Sequence, residues 1–161
     1  MDAEYAPGDI FEFDVESESG SSDFLQFLTF YVAQNLYAVE ILETHEILKP
    51  TLLTRLPNAA PEVLGVMNLR GNIIPVVDLC KKFTGAYAPV EESTRIIVIT
   101  VNGRYTGLMV HRISEVARIT EDTLEGTEMR HMSNQYVRAV GRSGEHIFLI
   151  LNLEQLCSTG D

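Results

Sequence analysis

Apolar residues in this chain come in short dense runs separated by turn residues. Few segments have the three-to-four-residue spacing of a helix face. Phe24–Val32 reads FLQFLTFYV, rich in aromatic and β-branched residues, and predicts a strand. Gln34-Asn35 marks a turn, and Leu36–Ile41 forms the second arm of a hairpin. Leu42–Leu48 (LETHEIL) fits a strand or a helical turn equally well. Pro50 breaks the pattern, Leu52–Leu56 reads as a short strand, and Pro61-Glu62 opens a helical turn. Leu64–Leu69 and Ile73–Leu79 form a hairpin about Gly71-Asn72, with Pro75 predicting an edge or a bulge because proline cannot donate to a ladder. Leu79–Phe83 reads as a short helix ending near Gly85, capped by Asp78. Beyond the polar stretch 86–93, Arg95–Val101 and Arg104–Val110 pair about Asn102-Gly103, a type I′ signal. Thr120–Asn134 is polar and irregular. Tyr136–Gly141 and Ile147–Leu153 form the last hairpin about Ser143-Gly144, and Leu153–Cys157 a terminal helix.

The two halves share an order of landmarks. Tyr37 and Glu46-Ile47 correspond to Tyr105 and Glu115-Val116 at an offset of 68 or 69 residues, and GNIIPVVDL corresponds to GEHIFLILNL. A duplication of this kind predicts an all-β fold of two five-stranded barrels on one hydrophobic core.

The chain has 161 residues, 45% of them hydrophobic, and a net charge of −11. That is enough to bury a core. No apolar run is long enough for a membrane span, and the first residues carry no basic or apolar leader pattern. The charge is concentrated. Residues 1–23 hold eight acids and no base, leaving 15 acids against 12 bases in the rest, a net of −3. The Ser/Gly-containing acidic leader reads as a flexible tail, with a docking segment through Ile10, Phe11 and Phe13 as the sharper option. Residues 24–157 form the body, its two subdomains joined near 86–93, and 158–161 a short tail. Net acidity argues against nucleic acid as a partner.

Chemistry-bearing motifs are sparse. Cys80 and Cys157 stand apart, outside any CxxC, so a zinc site and thioredoxin chemistry lack support. The four histidines are scattered, and His45, beside Glu43 and Glu46, reads as a surface residue. There is no phosphate-cradling glycine loop and no nucleophile elbow. No cofactor, metal or catalytic residue is expected. The informative segment is GVMNLRGNIIPVVD, 65–78, where Asn68 and Arg70 sit among apolar residues. A guanidinium there needs a carboxylate, solvent or a partner, and Glu46 is the plausible carboxylate.

That segment closely resembles the signature of CheW-like domains, the bacterial chemotaxis coupling proteins. Phe27–Tyr31 with Tyr37, Glu46-Ile47, Thr54-Arg55-Leu56-Pro57, Ile96–Glu115 and Ile147–Leu156 match in order, over roughly 24–157. The resemblance implies two SH3-like barrels and a cytoplasmic non-enzymatic adaptor. Such an adaptor bridges the chemoreceptor cytoplasmic tip and the regulatory domain of the CheA histidine kinase, without inserting in the membrane. It implies that Arg70, within Asn68-Leu69-Arg70-Gly71, and Glu46 serve that coupling. It also implies that Ile41, Leu42 and Thr44 line a receptor groove and that Arg55 lies near the kinase-facing end. Adaptors of twitching or developmental signalling fit the same pattern, and a small-ligand barrel is the remaining alternative. Cys80 stands where an Arg is usual and His111 where an Asp is common.

Overall fold

The computed structural model describes residues 24–126 and 135–157. The acidic leader, the tail 158–161 and most of the irregular Thr120–Asn134 stretch lie outside them. Eleven strands are described: β1 (Phe24–Val32), β2 (Asn35–Glu40), β3 (Thr44–Leu48), β4 (Val63–Leu69), β5 (Asn72–Asp78), β6 (Arg95–Val101), β7 (Arg104–Val110), β8 (Arg112–Thr120), β9 (Glu125–Gly126), β10 (Val137–Ser143) and β11 (His146–Leu151). Two short helices follow strand ends, α1 (Leu79–Thr84) and α2 (Leu153–Cys157).

All four expected hairpins form. The Asn102-Gly103 turn is in place, both residues at positive φ (53° and 77°). The β4–β5 turn is instead centred one residue earlier, on Arg70-Gly71, because Leu69 pairs with Asn72. The β1–β2 turn likewise falls on Ala33-Gln34, between the paired Val32 and Asn35. The ambiguous stretch resolves into a 3₁₀ turn, Ile41–Glu43, and strand β3.

Three local expectations are corrected, and one strand is added. Leu52–Leu56 is not a strand; Thr54 alone bridges Val66, and the prolines on either side prevent a ladder. Pro61-Glu62 is a turn rather than helix. Of the two options for Pro75, the edge is excluded, since β5 lies between β7 and β4. The bulge is present: the register shifts between Val63 and Gly65, opposite Val77 and Val76, and the ladder with β7 starts only at Val76. Strand β8 was not foreseen.

The strands form two SH3-like β subdomains. One sheet has the order β8-β1-β2-β11-β10-β9, with β9 contributing two residues to five full strands. The other has the order β3-β6-β7-β5-β4. The expected joint near 86–93 is displaced by this topology. That stretch connects α1 to β6 within the second subdomain, and the chain crosses between sheets at Ile41–Glu43 and at His111. Each sheet therefore mixes strands of both halves of the sequence.

The cores explain the dense apolar runs. On β6, Ile96 and Val98 pack inside their own subdomain with Met67, Ile74 and Val76. Ile97 and Ile99 face the other way, into a shared core with Leu28, Phe30, Val39, Ile47, Leu79 and Leu156. On β1, Phe27 fills the first subdomain with Phe148 and Ile150, while Leu28 enters the shared core. Strands buried on both faces lose the apolar–polar alternation of a one-sided sheet. Helix α1 is fixed at its start by Asp78, whose carboxylate accepts from the Cys80 amide (3.0 Å), and at its end by left-handed Gly85.

Candidate functional site

Glu46 and Arg70 come together as the apolar setting of Arg70 requires. Glu46 is on β3, 5% exposed. Arg70 is at the apex of the β4–β5 turn with φ 52°, a left-handed conformation costly for a residue with a Cβ. Its Nη2 donates to Glu46 Oε1 (3.0 Å) and its Nη1 to Glu46 Oε2. The fork is thus bidentate, a strong and directional form of charge-assisted bond. Strands β3 and β4 are the two ends of the five-strand order, so this pair straps the open sides of the sheet together. The Arg70 side chain is nevertheless 58% exposed. It is held from behind and offered to solvent at the front.

Asn68 is exposed and supports the turn. Its Oδ1 accepts from the Gly71 amide (3.0 Å), which stabilises the conformation that aims Arg70. Beside this turn Ile73 is well exposed. The sequence marks His45 only as a surface residue beside Glu43 and Glu46, because neighbours on a strand ordinarily point to opposite faces. A β-bulge between Thr44 and Glu46 overrides that alternation and brings His45 Nε2 to 3.8 Å from Glu46 Oε2.

The groove positions separate. Ile41 is buried in the shared core at 3% exposure, so its side chain cannot line an open groove. Leu42, one residue on in the same 3₁₀ turn, is 76% exposed. Thr44 is half-buried, its hydroxyl donating to the Glu40 carbonyl (3.1 Å). Arg55 lines a separate cleft of about 460 Å³ with Leu56, Tyr87 and Val90.

The remaining candidates read as structural. Besides capping α1, Asp78 accepts from the Ala88 amide (3.0 Å), so this buried carboxylate ties the 86–93 stretch to the helix. Cys80 is buried beside Thr84, and burial pushes the Cys157 thiol up. His111 accepts the Ala33 amide on Nδ1 (2.7 Å) and thereby holds the β1–β2 turn. Among the described residues no cluster of His, Cys, Asp or Glu is fit to hold a metal, and no helix is long and apolar enough to cross a membrane.

The CheW-like domain model matches residues 26–160, nearly all of the chain. The chain belongs to the CheW-like family. Its relatives include the chemotaxis protein CheW of Helicobacter pylori, 32% identical over 92% of this chain and 93% of that one. The chemotaxis protein CheW of Klebsiella aerogenes is 29% identical over 83% of this chain and 82% of that one. Among solved structures, the scaffolding protein TtCheW of Thermoanaerobacter tengcongensis superposes with a TM-score of 0.73 at 29% identity. That match covers 80% of this chain and 88% of that one. CheW-like proteins are adaptors without enzymatic activity.

Proposed function

We propose that this chain couples the cytoplasmic tips of chemoreceptors to the regulatory domain of the CheA histidine kinase, acting in the cytoplasm beneath the receptor membrane. The observation that carries the reading is Arg70, clamped by a nearly buried carboxylate yet largely exposed at a turn apex. A guanidinium held in one orientation loses little freedom when a partner carboxylate or carbonyl reaches it. Leu42, exposed at the crossing between the subdomains, supplies an apolar contact for an amphipathic receptor helix. The Arg55 cleft lies on the second subdomain and is assigned to the kinase side. Each contact is modest alone, and linkage in an array supplies the effective concentration. A receptor change biases the kinase when the adaptor binds its two states unequally.

The test is titration of the purified chain against a CheA regulatory domain, with and without a receptor-tip fragment. The wild type forms the ternary complex, and Arg70→Asp weakens it at least tenfold while remaining folded. Wild-type binding by a folded Arg70→Asp variant refutes the role of Arg70. Failure of the wild type to bind either partner refutes the coupling itself.

A further inference from the structure

Glu46 Oε2 is approached from two sides. Arg70 Nη1 donates to it, and His45 Nε2 lies 3.8 Å away. The imidazole is held in that position by two features. The register shift at Thr44/Glu46 breaks the regular alternation there, and the His45 Nε2 reaches within 3.8 Å of Glu46 Oε2. Its ring then packs on Tyr105 of β7, centroids 4.8 Å apart. Among the described residues, the charged and titratable groups brought near it include Glu46 on its own strand, Tyr105 from β7 and, through their common neighbour Glu46, Arg70 from the β4–β5 turn. Strand β6 between them contributes Val98 and Ile99, both apolar.

We propose that His45 is a positioning residue for Arg70, acting through their shared hold on Glu46 and dependent on its own protonation. A neutral imidazole leaves the carboxylate to the Arg70 fork. An imidazolium claims Oε2 in competition with Nη1 and places a second positive charge beside the guanidinium. The fork on Glu46 then passes from two-point to one-point attachment, and this hold on Arg70 loosens. Histidine is the side chain that most readily changes charge near neutral pH, so adaptor contacts made through Arg70 weaken when His45 takes up a proton. His45 is 41% exposed in its side chain. Competition between partly solvated charges is worth a small factor, about two- to fivefold in Kd.

The binding part of this inference rests on the coupling role proposed above; the competition at Glu46 does not. Two measurements separate them. In the isolated protein, NMR signals of the Glu46 carboxyl carbon and the Arg70 guanidinium are followed from pH 8 to 5.5. They shift together with the His45 ring signals, and in His45→Gln the component tracking His45 is lost. If they ignore the His45 titration, the inference is overturned whatever the partners do. The second measurement is the Kd of the regulatory domain and receptor tip over the same range. Wild type weakens about two- to fivefold towards pH 5.5. His45→Gln loses that component, and His45→Lys, a permanent cation, binds at pH 8 as weakly as the wild type at low pH. Identical profiles for all three overturn the positioning role. Coupled NMR shifts without partner binding at any pH leave the competition standing and refute the coupling role alone.

Discussion

Replacing Arg70 by alanine removes two bonds from a carboxylate that is 5% exposed. Breaking a fully buried ion pair costs about 3–5 kcal/mol, because the remaining charge is stranded. Here the guanidinium is 58% exposed, so water can take its place in front of Glu46. That lowers the expected cost to about 1.5 kcal/mol. For a domain of this size it corresponds to a melting temperature lower by about 3–6 °C. Alanine keeps the Cβ and with it the strain of φ 52°. Arg70→Gly loses the same pair but relieves the backbone, regaining about 1 kcal/mol. Glu46→Gln preserves shape and leaves a guanidinium that water already reaches, so it costs less than Arg70→Ala. The double variant Glu46→Gln/Arg70→Ala then loses less than the sum of the singles, by about 1 kcal/mol. Urea unfolding of the four proteins closes the cycle. Additivity within about 0.3 kcal/mol would show that the strap between β3 and the β4–β5 turn contributes nothing.

Three further outcomes are expected. Asp78→Ala strips the α1 cap and the anchor of Ala88 at once and destabilises by about 2–4 kcal/mol in chemical denaturation; a loss under 1 kcal/mol contradicts the double role. Gly65→Ala would place a Cβ 2.5 Å from the Thr54 carbonyl oxygen at φ 151°. It pushes the segment bearing Arg55 off β4, costs about 2 kcal/mol and speeds limited proteolysis near Thr54, whereas unchanged cleavage argues that the bridge is not what holds the segment. Burial, with Glu40 adding to it, raises the Glu43 carboxyl above its ordinary value. The folded state thus holds that proton more tightly than the unfolded one, and the ionised group is a liability that disappears on acidification. Glu43→Gln therefore raises the melting temperature at pH 7 and not at pH 4; an equal gain at both pH values excludes ionisation as the cause.

The hairpins and the Glu46–Arg70 pair were legible because each is local in cause. Turn residues mark the hairpins, and a lone guanidinium among apolar residues demands a carboxylate. Strand β8 was missed for the opposite reason. Arg112, Ser114, Glu115, Val116 and Arg118 all face solvent, leaving too thin an apolar signature. Ile41 and Leu42 look alike in sequence, and only the 3₁₀ turn decides that one is buried and the other offered outward. The bulge that aims His45 has no marker such as glycine. The crossing points could not be read at all, since strands of the two halves resemble one another and either partner satisfies the same pattern.

The five-stranded sheet is drawn from one uninterrupted stretch, Thr44 to Val110, set between the first two strands of the other sheet and its last four. In the order of synthesis, all its strands have emerged before the other sheet has more than a single hairpin. Leu149 and Ile150 must then find Tyr37 and Ala38 across more than a hundred residues. Contacts of short sequence separation form faster, since closing a long loop costs entropy before it is rewarded. The central sheet is expected to mature first on the ribosome and to serve as the template on which the two chain ends meet. A chain stalled before β10 would carry the finished Arg70 turn while still lacking two strands, β10 and β11, of the neighbouring sheet.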